Sequence, residues 1–168
     1  MNSMKFVLAL LCAVSVSLAS AQTWKTINAK DSGISFMVPA VPKASTRTDK
    51  DQGISINTKM WISNAPTANY VVSVSVVPAS APARYIDNMI EGIKAGFLNS
   101  TSGTALSDKS ATYANIKGRE ITFKTASGAT GALWIINRNH KVTTLTIAKR
   151  TGTYTAERAK FFNSLRLK

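Results

Sequence analysis

His140 is the only histidine of the sequence and Cys12 its only cysteine, which narrows the chemistry at once. A histidine acting as general base needs a nucleophile and a carboxylate gathered around the imidazole. The neighbours of His140 are Asn139 and Lys141, in a stretch that reads as a hairpin turn. Zinc and most transition metals want three or four Cys or His ligands, so sites of that type are excluded. The run Asp49-Lys50-Asp51-Gln52-Gly53 begins like an oxygen-rich calcium loop. An EF-hand places glycine sixth and a bidentate Glu twelfth, whereas here glycine is fifth and Met60 is twelfth, so a polar loop is expected. Asp87 and Glu91 lie four apart, where like charges on one helix face oppose each other mildly. Gly128 and Gly131 are not followed by a helix, so no phosphate-cradling loop is expected there. Asn99-Ser100-Thr101 fits a glycosylation acceptor, which matters only in a eukaryotic secretory route. No catalytic residue, cofactor site or metal ligand is assigned, and a non-enzymatic role is expected; a carboxylate-based enzyme is the minor alternative.

Basic side chains remain. Arg138, His140 and Lys141 cluster at one hairpin end, with Lys149 and Arg150 at the far end of the same strand. Arg158, Lys160, Arg166 and Lys168 decorate a final helix and the tail. Residues 22–108 carry a formal charge of +2, and residues 109–168 carry +10. Such asymmetry points to a basic face for an anionic partner, and its phosphate contacts would weaken steeply with salt. Anionic lipid or an acidic envelope protein suits an exported domain. Nucleic acid is a poor match, because no recognition motif accompanies the charge.

The elements that must position these residues are strands with two helices. Trp24–Ile27 and the alternation Ile34, Phe36, Val38 read as strands either side of an Asp31-Ser32-Gly33 turn. Residues 43–53 read as a loop, 54–62 and 70–77 as strands. Pro82 opens a helix of about four turns, with Ser80 or Ala81 near its cap. Its stripe Ile86, Met89, Ile90, Ile93 and Phe97 is expected to lie on a sheet. A meander follows, turning at Ala114-Asn115, Ser127-Gly128 and Asn139-His140. Leu133, Trp134, Ile135 and Ile136 are apolar on both faces, as in a strand covered on both sides. A helix over 155–165 offers Ala159, Phe162 and Leu165 as cover. The expected class is α+β, a central antiparallel β-sheet flanked by helices.

Gly33-Ile34-Ser35-Phe36-Met37-Val38-Pro39 with Pro42, Gly118-Arg119-Glu120, the Trp134–Lys149 hairpin and the closing Phe161-Phe162-Asn163-Ser164-Leu165 together resemble the PsbP-like superfamily. That fold is shared by the extrinsic photosystem protein PsbP, a Ran-binding nuclear import factor and bacterial exported proteins. The resemblance spans nearly the whole chain after residue 21 and implies α/β/α layers with a binding rather than an enzymatic role. It transfers no individual residue role. The family's reported metal sites use histidines and carboxylates this chain lacks, and the import factor uses an acidic patch where this chain is basic.

The N-terminus reads as a signal peptide over residues 1–21: Lys5, then apolar Phe6 to Leu18, then Ala19-Ser20-Ala21 before a cleavage site at Gln22. The apolar run is shorter than the ~20 residues that span a bilayer. Cleavage would remove Cys12 and leave one domain, 22–168, with no disulfide and no membrane-spanning segment, periplasmic or extracellular. The leading functional expectation is an exported accessory protein docking an anionic partner through Arg138, His140, Lys141, Lys149, Arg150, Arg158, Lys160 and Arg166. The second is a carrier of a small apolar ligand, with a pocket between the first helix and the sheet around Met60, Trp61, Met89 and Phe97.

Overall fold

The computed structural model describes residues 23–51 and 53–168, so the signal segment read at residues 1–21 lies outside the described residues. Strand β1 (Lys25–Ala29) meets β2 (Ile34–Val38) through a short 3-10 turn closed by Gly33, whose φ of +69° favours glycine. Strands β3 (Lys43–Asp51), β4 (Ile54–Asn64) and β5 (Ala68–Val76) precede helix α1 (Ala83–Ser100). The meander is β6 (Thr104–Tyr113), β7 (Ile116–Lys124), β8 (Thr130–Arg138) and β9 (Lys141–Lys149). Helix α2 (Thr155–Asn163) and a two-residue strand β10 (Arg166–Leu167) follow.

All strand pairs are antiparallel, but they build two sheets rather than the one expected. A three-stranded sheet has the order β1-β2-β10, and a seven-stranded sheet the order β3-β4-β5-β9-β8-β7-β6. The small sheet is closed by the tail, since Leu167 pairs with Ile34 and Arg166 with Ser35.

Residues 43–51 are a strand, not the loop their polarity implied. They form one edge of the large sheet, exposed along most of their length, in register from Lys43↔Ile62 to Asp51↔Ile54. An edge strand that projects beyond the core shows no apolar alternation, and its Lys and Asp side chains discourage pairing with another chain. Asp49 pairs with Arg47, and Asp51 accepts a hydrogen bond from Tyr85, so neither belongs to a cation loop.

Alternate residues of β8 enter two separate cores. Leu133 and Ile135 pack with Ile121, Phe123, Val142 and the α1 residues Tyr85, Ile86, Ile93 and Phe97. Ala132, Trp134 and Ile136 pack with Tyr70, Leu145, Phe36 and the α2 residues Phe161 and Phe162. The stripe read on α1 is correct, although its N-cap is Pro82 rather than Ser80 or Ala81. On α2 the cover comes from Phe161 and Phe162, with Leu165 just beyond the helix, while Ala159 faces solvent. Rings of Trp134, Tyr113, Phe162, Phe161 and Tyr70 meet at centroid distances of 5.0–5.6 Å, mostly edge to face, the geometry aromatic pairs prefer.

Candidate functional site

The β8–β9 hairpin turn sets the first candidate. Asn139 and His140 both take positive φ, 51° and 57°, as a two-residue hairpin turn of this twist requires. The tight turn throws Arg138 and Lys141 out together at the end of the sheet, directly across the ladder from each other. Beside them Lys168 is fixed by its backbone N–H, which donates to the Gly33 carbonyl at 2.8 Å. Arg138, Asn139, Lys141, Lys168, Gly33 and the buried Ser32 and Thr143 line a small cavity of about 110 Å³, floored by Ile34 and Leu167. His140 does not line this cavity; it lines another with Ala83, Ile86 and Asp87, which Arg138 and Asn139 also border. Its Nδ1 is shut off from solvent without a hydrogen-bond partner, and its carbonyl accepts from Val77 N–H at 2.9 Å.

The other nominated cations do not join this group. Lys149 and Arg150 stand at the opposite end of β9, about 26 Å away at ~3.3 Å per residue. Lys149 Nζ binds the Glu157 carboxylate at 2.5 Å and the Thr153 carbonyl at 2.8 Å. That pairing holds the Glu157 carboxyl below its ordinary range. Arg158 Nη1 lies 3.3 Å from Glu120, a carboxylate only 1% exposed that also accepts from the Tyr113 hydroxyl. Burial and that hydrogen bond push the Tyr113 phenol up to about 12. The Glu120 cluster ties α2 to β7 and opens onto none of the described cavities. Lys160 Nζ sits 4.9 Å over the Trp24 ring. Arg166 Nη1 donates to the Asn163 and Leu165 carbonyls, satisfying the end of α2. The expectation of one continuous basic surface is therefore corrected: Lys149 and Arg150 stand at the far end of β9, Lys149 and Arg158 are bound to carboxylates, and Lys160 and Arg166 lie on α2 and β10.

The second candidate is a groove of about 860 Å³ between α1 and the β3–β4 edge. Met60, Met89, Ile93 and Phe97 line it, with Arg47 and Asp51 at its mouth. Trp61 does not: neighbours on a strand face opposite ways, and Trp61 packs against Phe36 in the other core, centroids 5.6 Å apart. Its open wall is Asn88, Gly92, Gly96 and Ser100, successive small positions of one helix face. Sequence reading named Lys168 among the basic residues of the tail without placing it beside Arg138 and Lys141, and it missed Ser32 and Thr143 at the first site and these glycines at the second. The four-residue spacing of the glycines was the available signal; nothing local marked Ser32 and Thr143.

No protein-family model and no curated protein matches the chain. Among solved structures it is similar to the solution structure of cyanobacterial PsbP (CyanoP) from Synechocystis sp. PCC 6803. The TM-score is 0.59 at 7% sequence identity, covering 92% of this chain and 98% of that one. The chain thus has the PsbP-like fold resembled by its sequence, and at this identity the likeness extends to the fold alone.

Proposed function

We propose that this PsbP-like fold acts as an exported, non-enzymatic accessory protein that docks an anionic partner, lipid or acidic envelope protein, at the β8–β9 turn end of its large sheet. On this reading α1 and α2 are outer layers on the two faces of that sheet, a stiff block whose ends are left for contact. The carrying observation is the convergence of Arg138, Lys141 and Lys168 on one cavity, with no side-chain carboxylate in ion-pair range of any of them among the described residues. Cations left without a partner at a concave point keep their field for a ligand, whereas those at Lys149 and Arg158 are spent internally. The purified protein should be retained on heparin and on phosphatidylglycerol vesicles at low salt and released as salt rises. Replacing Arg138 and Lys141 with alanine should lower the releasing salt concentration more than replacing Arg150 and Lys160 does. Passage straight through at low salt rejects the reading.

A second reading, a carrier of a small apolar ligand, is favoured by the groove along Met60, Met89, Ile93 and Phe97. Native mass spectrometry of freshly purified protein would then show a co-purifying mass, lost in a Gly96→Leu variant that fills the open wall. A single unliganded species from the first purification onward counts against it.

A further inference from the structure

We infer that the Gly33–Lys141 cavity is a seat for a single tetrahedral oxyanion, a phosphate monoester group, and not merely a stretch of positive surface. This rests on the docking role proposed above and makes it specific: the partner would be held by one phosphate.

Three features of the cavity carry the inference. The first is shape. A Cβ placed on Gly33 would lie 3.4 Å from Lys141 Nζ and 3.5 Å from the Lys168 main-chain oxygen, ordinary contact distances, so a cation and the tail both border this point. The remaining space, about 110 Å³, is a few water volumes and suits one compact group, not a polymer segment. The second is charge. Arg138, Lys141 and Lys168 bring three positive side chains to a cavity whose other polar members are the Ser32 and Thr143 hydroxyls, the Asn139 amide and the main-chain oxygens of Lys168, the last residue, so the net positive charge there is below three. Hydroxyl and amide groups donate to phosphate oxygens, and a guanidinium can present two parallel N–H groups to them. The third is fixity. The main chains of Arg138 and Lys141 are paired across a two-residue turn, and the Lys168 N–H is bonded to the Gly33 carbonyl, so the three side chains start from fixed points around the cavity. The apolar floor of Ile34 and Leu167 would accept the first carbon of an ester and not a second charged group.

The test is a titration of isotope-labelled full-length protein with inorganic phosphate, ionic strength held constant with chloride, read by amide shifts. Expected are saturable shifts centred on Gly33, Asn139 and Lys141. A midpoint in the millimolar range would correspond to the modest affinity of ~4 kcal/mol that one small ion can supply. Arg138→Ala with Lys141→Ala should weaken the midpoint by at least ~10-fold, while Arg150→Ala leaves it unchanged. Should the double variant not fold, Lys141→Gln alone serves, with a smaller shift in the same direction. Linear shifts spread equally over the Lys149–Arg150 end overturn the seat, as does a midpoint indifferent to Arg138 and Lys141. Vesicle retention without saturable phosphate binding overturns the seat while leaving the docking role. Saturable binding without vesicle retention supports the seat and removes the docking role.

Discussion

Ala114 occupies a backbone conformation that alanine tolerates poorly. Its φ is +50° and that of Asn115 is +63°, the pairing a two-residue hairpin between β6 and β7 demands. Asparagine is suited to the left-handed region, but an alanine Cβ crowds the neighbouring carbonyl and costs roughly 1–2 kcal/mol. What the fold uses from residue 114 is its backbone N–H, which donates to Asn163 Oδ1 at 2.8 Å and moors the turn to the end of α2. Glycine supplies that N–H without the clash, so Ala114→Gly should raise stability by roughly 0.5–1 kcal/mol after its greater unfolded-state freedom is counted. Thermal melts would register this as a rise of roughly 1–4 °C. An unchanged or lowered midpoint would show that the turn is not strained as described. The opposite case is Gly131, where a Cβ would fall 2.0 Å from the Ile147 carbonyl, so β8 and β9 can approach only because that position is bare.

Among the elements, those with local signals were legible in the sequence. The hairpins declared themselves by β-branched runs either side of Asn and Gly turns, and α1 by five apolar residues on one face. Strand β3 was not legible, because an exposed edge needs no buried alternation and its residues carry none. Nor was the second sheet: Leu167 meets Ile34 only through folding of everything between them, and two residues have no periodicity. The groove was half legible, since Met60, Met89 and Phe97 do line it, but Trp61 was assigned to the wrong face of its strand. Its glycine wall carries a prediction about α1 itself. A Cβ at Gly92 or Gly96 would meet nothing within 4 Å, so alanine there fits and removes the flexibility glycine brings to a helix interior. Gly92→Ala and Gly96→Ala should each stabilise by about 0.5–1 kcal/mol in chemical denaturation. Destabilisation by either would mean that this face is already in close contact with something in solution.

At the scale of the whole molecule, the acids are few and almost all engaged. Residues 23–168 hold 20 basic and 8 acidic side chains. Six of the acids, Asp31, Asp49, Glu91, Asp108, Glu120 and Glu157, form ion pairs with six of the basic groups, leaving 14 cations outside such pairs among the described residues. The excess of positive charge was legible from composition. Its distribution over the molecule was not, because which cation finds a carboxylate depends on contacts between distant strands. Asp108 shows the consequence for stability. It takes two hydrogen bonds from Arg119 on β7 and one from Lys94 on α1, and Arg119 reaches on to Glu91, so helix and sheet edge are joined through one carboxylate. The Arg119 bonds chiefly, with Lys94 in support, lower its pKa to about 2. A carboxyl depressed in the folded state contributes stability that is present above its unfolded value near ~4 and lost as pH falls through the folded value. The window is therefore about pH 4 to 2. Partial exposure of the pair keeps the contribution to the order of 1–2 kcal/mol. Below that window the protonated acids also leave the basic surface with nothing to offset its self-repulsion. Denaturation midpoints of the native protein should fall steeply between pH 4 and 2, and Asp108→Asn should start lower at neutral pH but lose less across the same interval. Parallel curves for the two proteins would show that the Asp108 junction does not bear on acid stability, and that general repulsion alone unfolds the molecule.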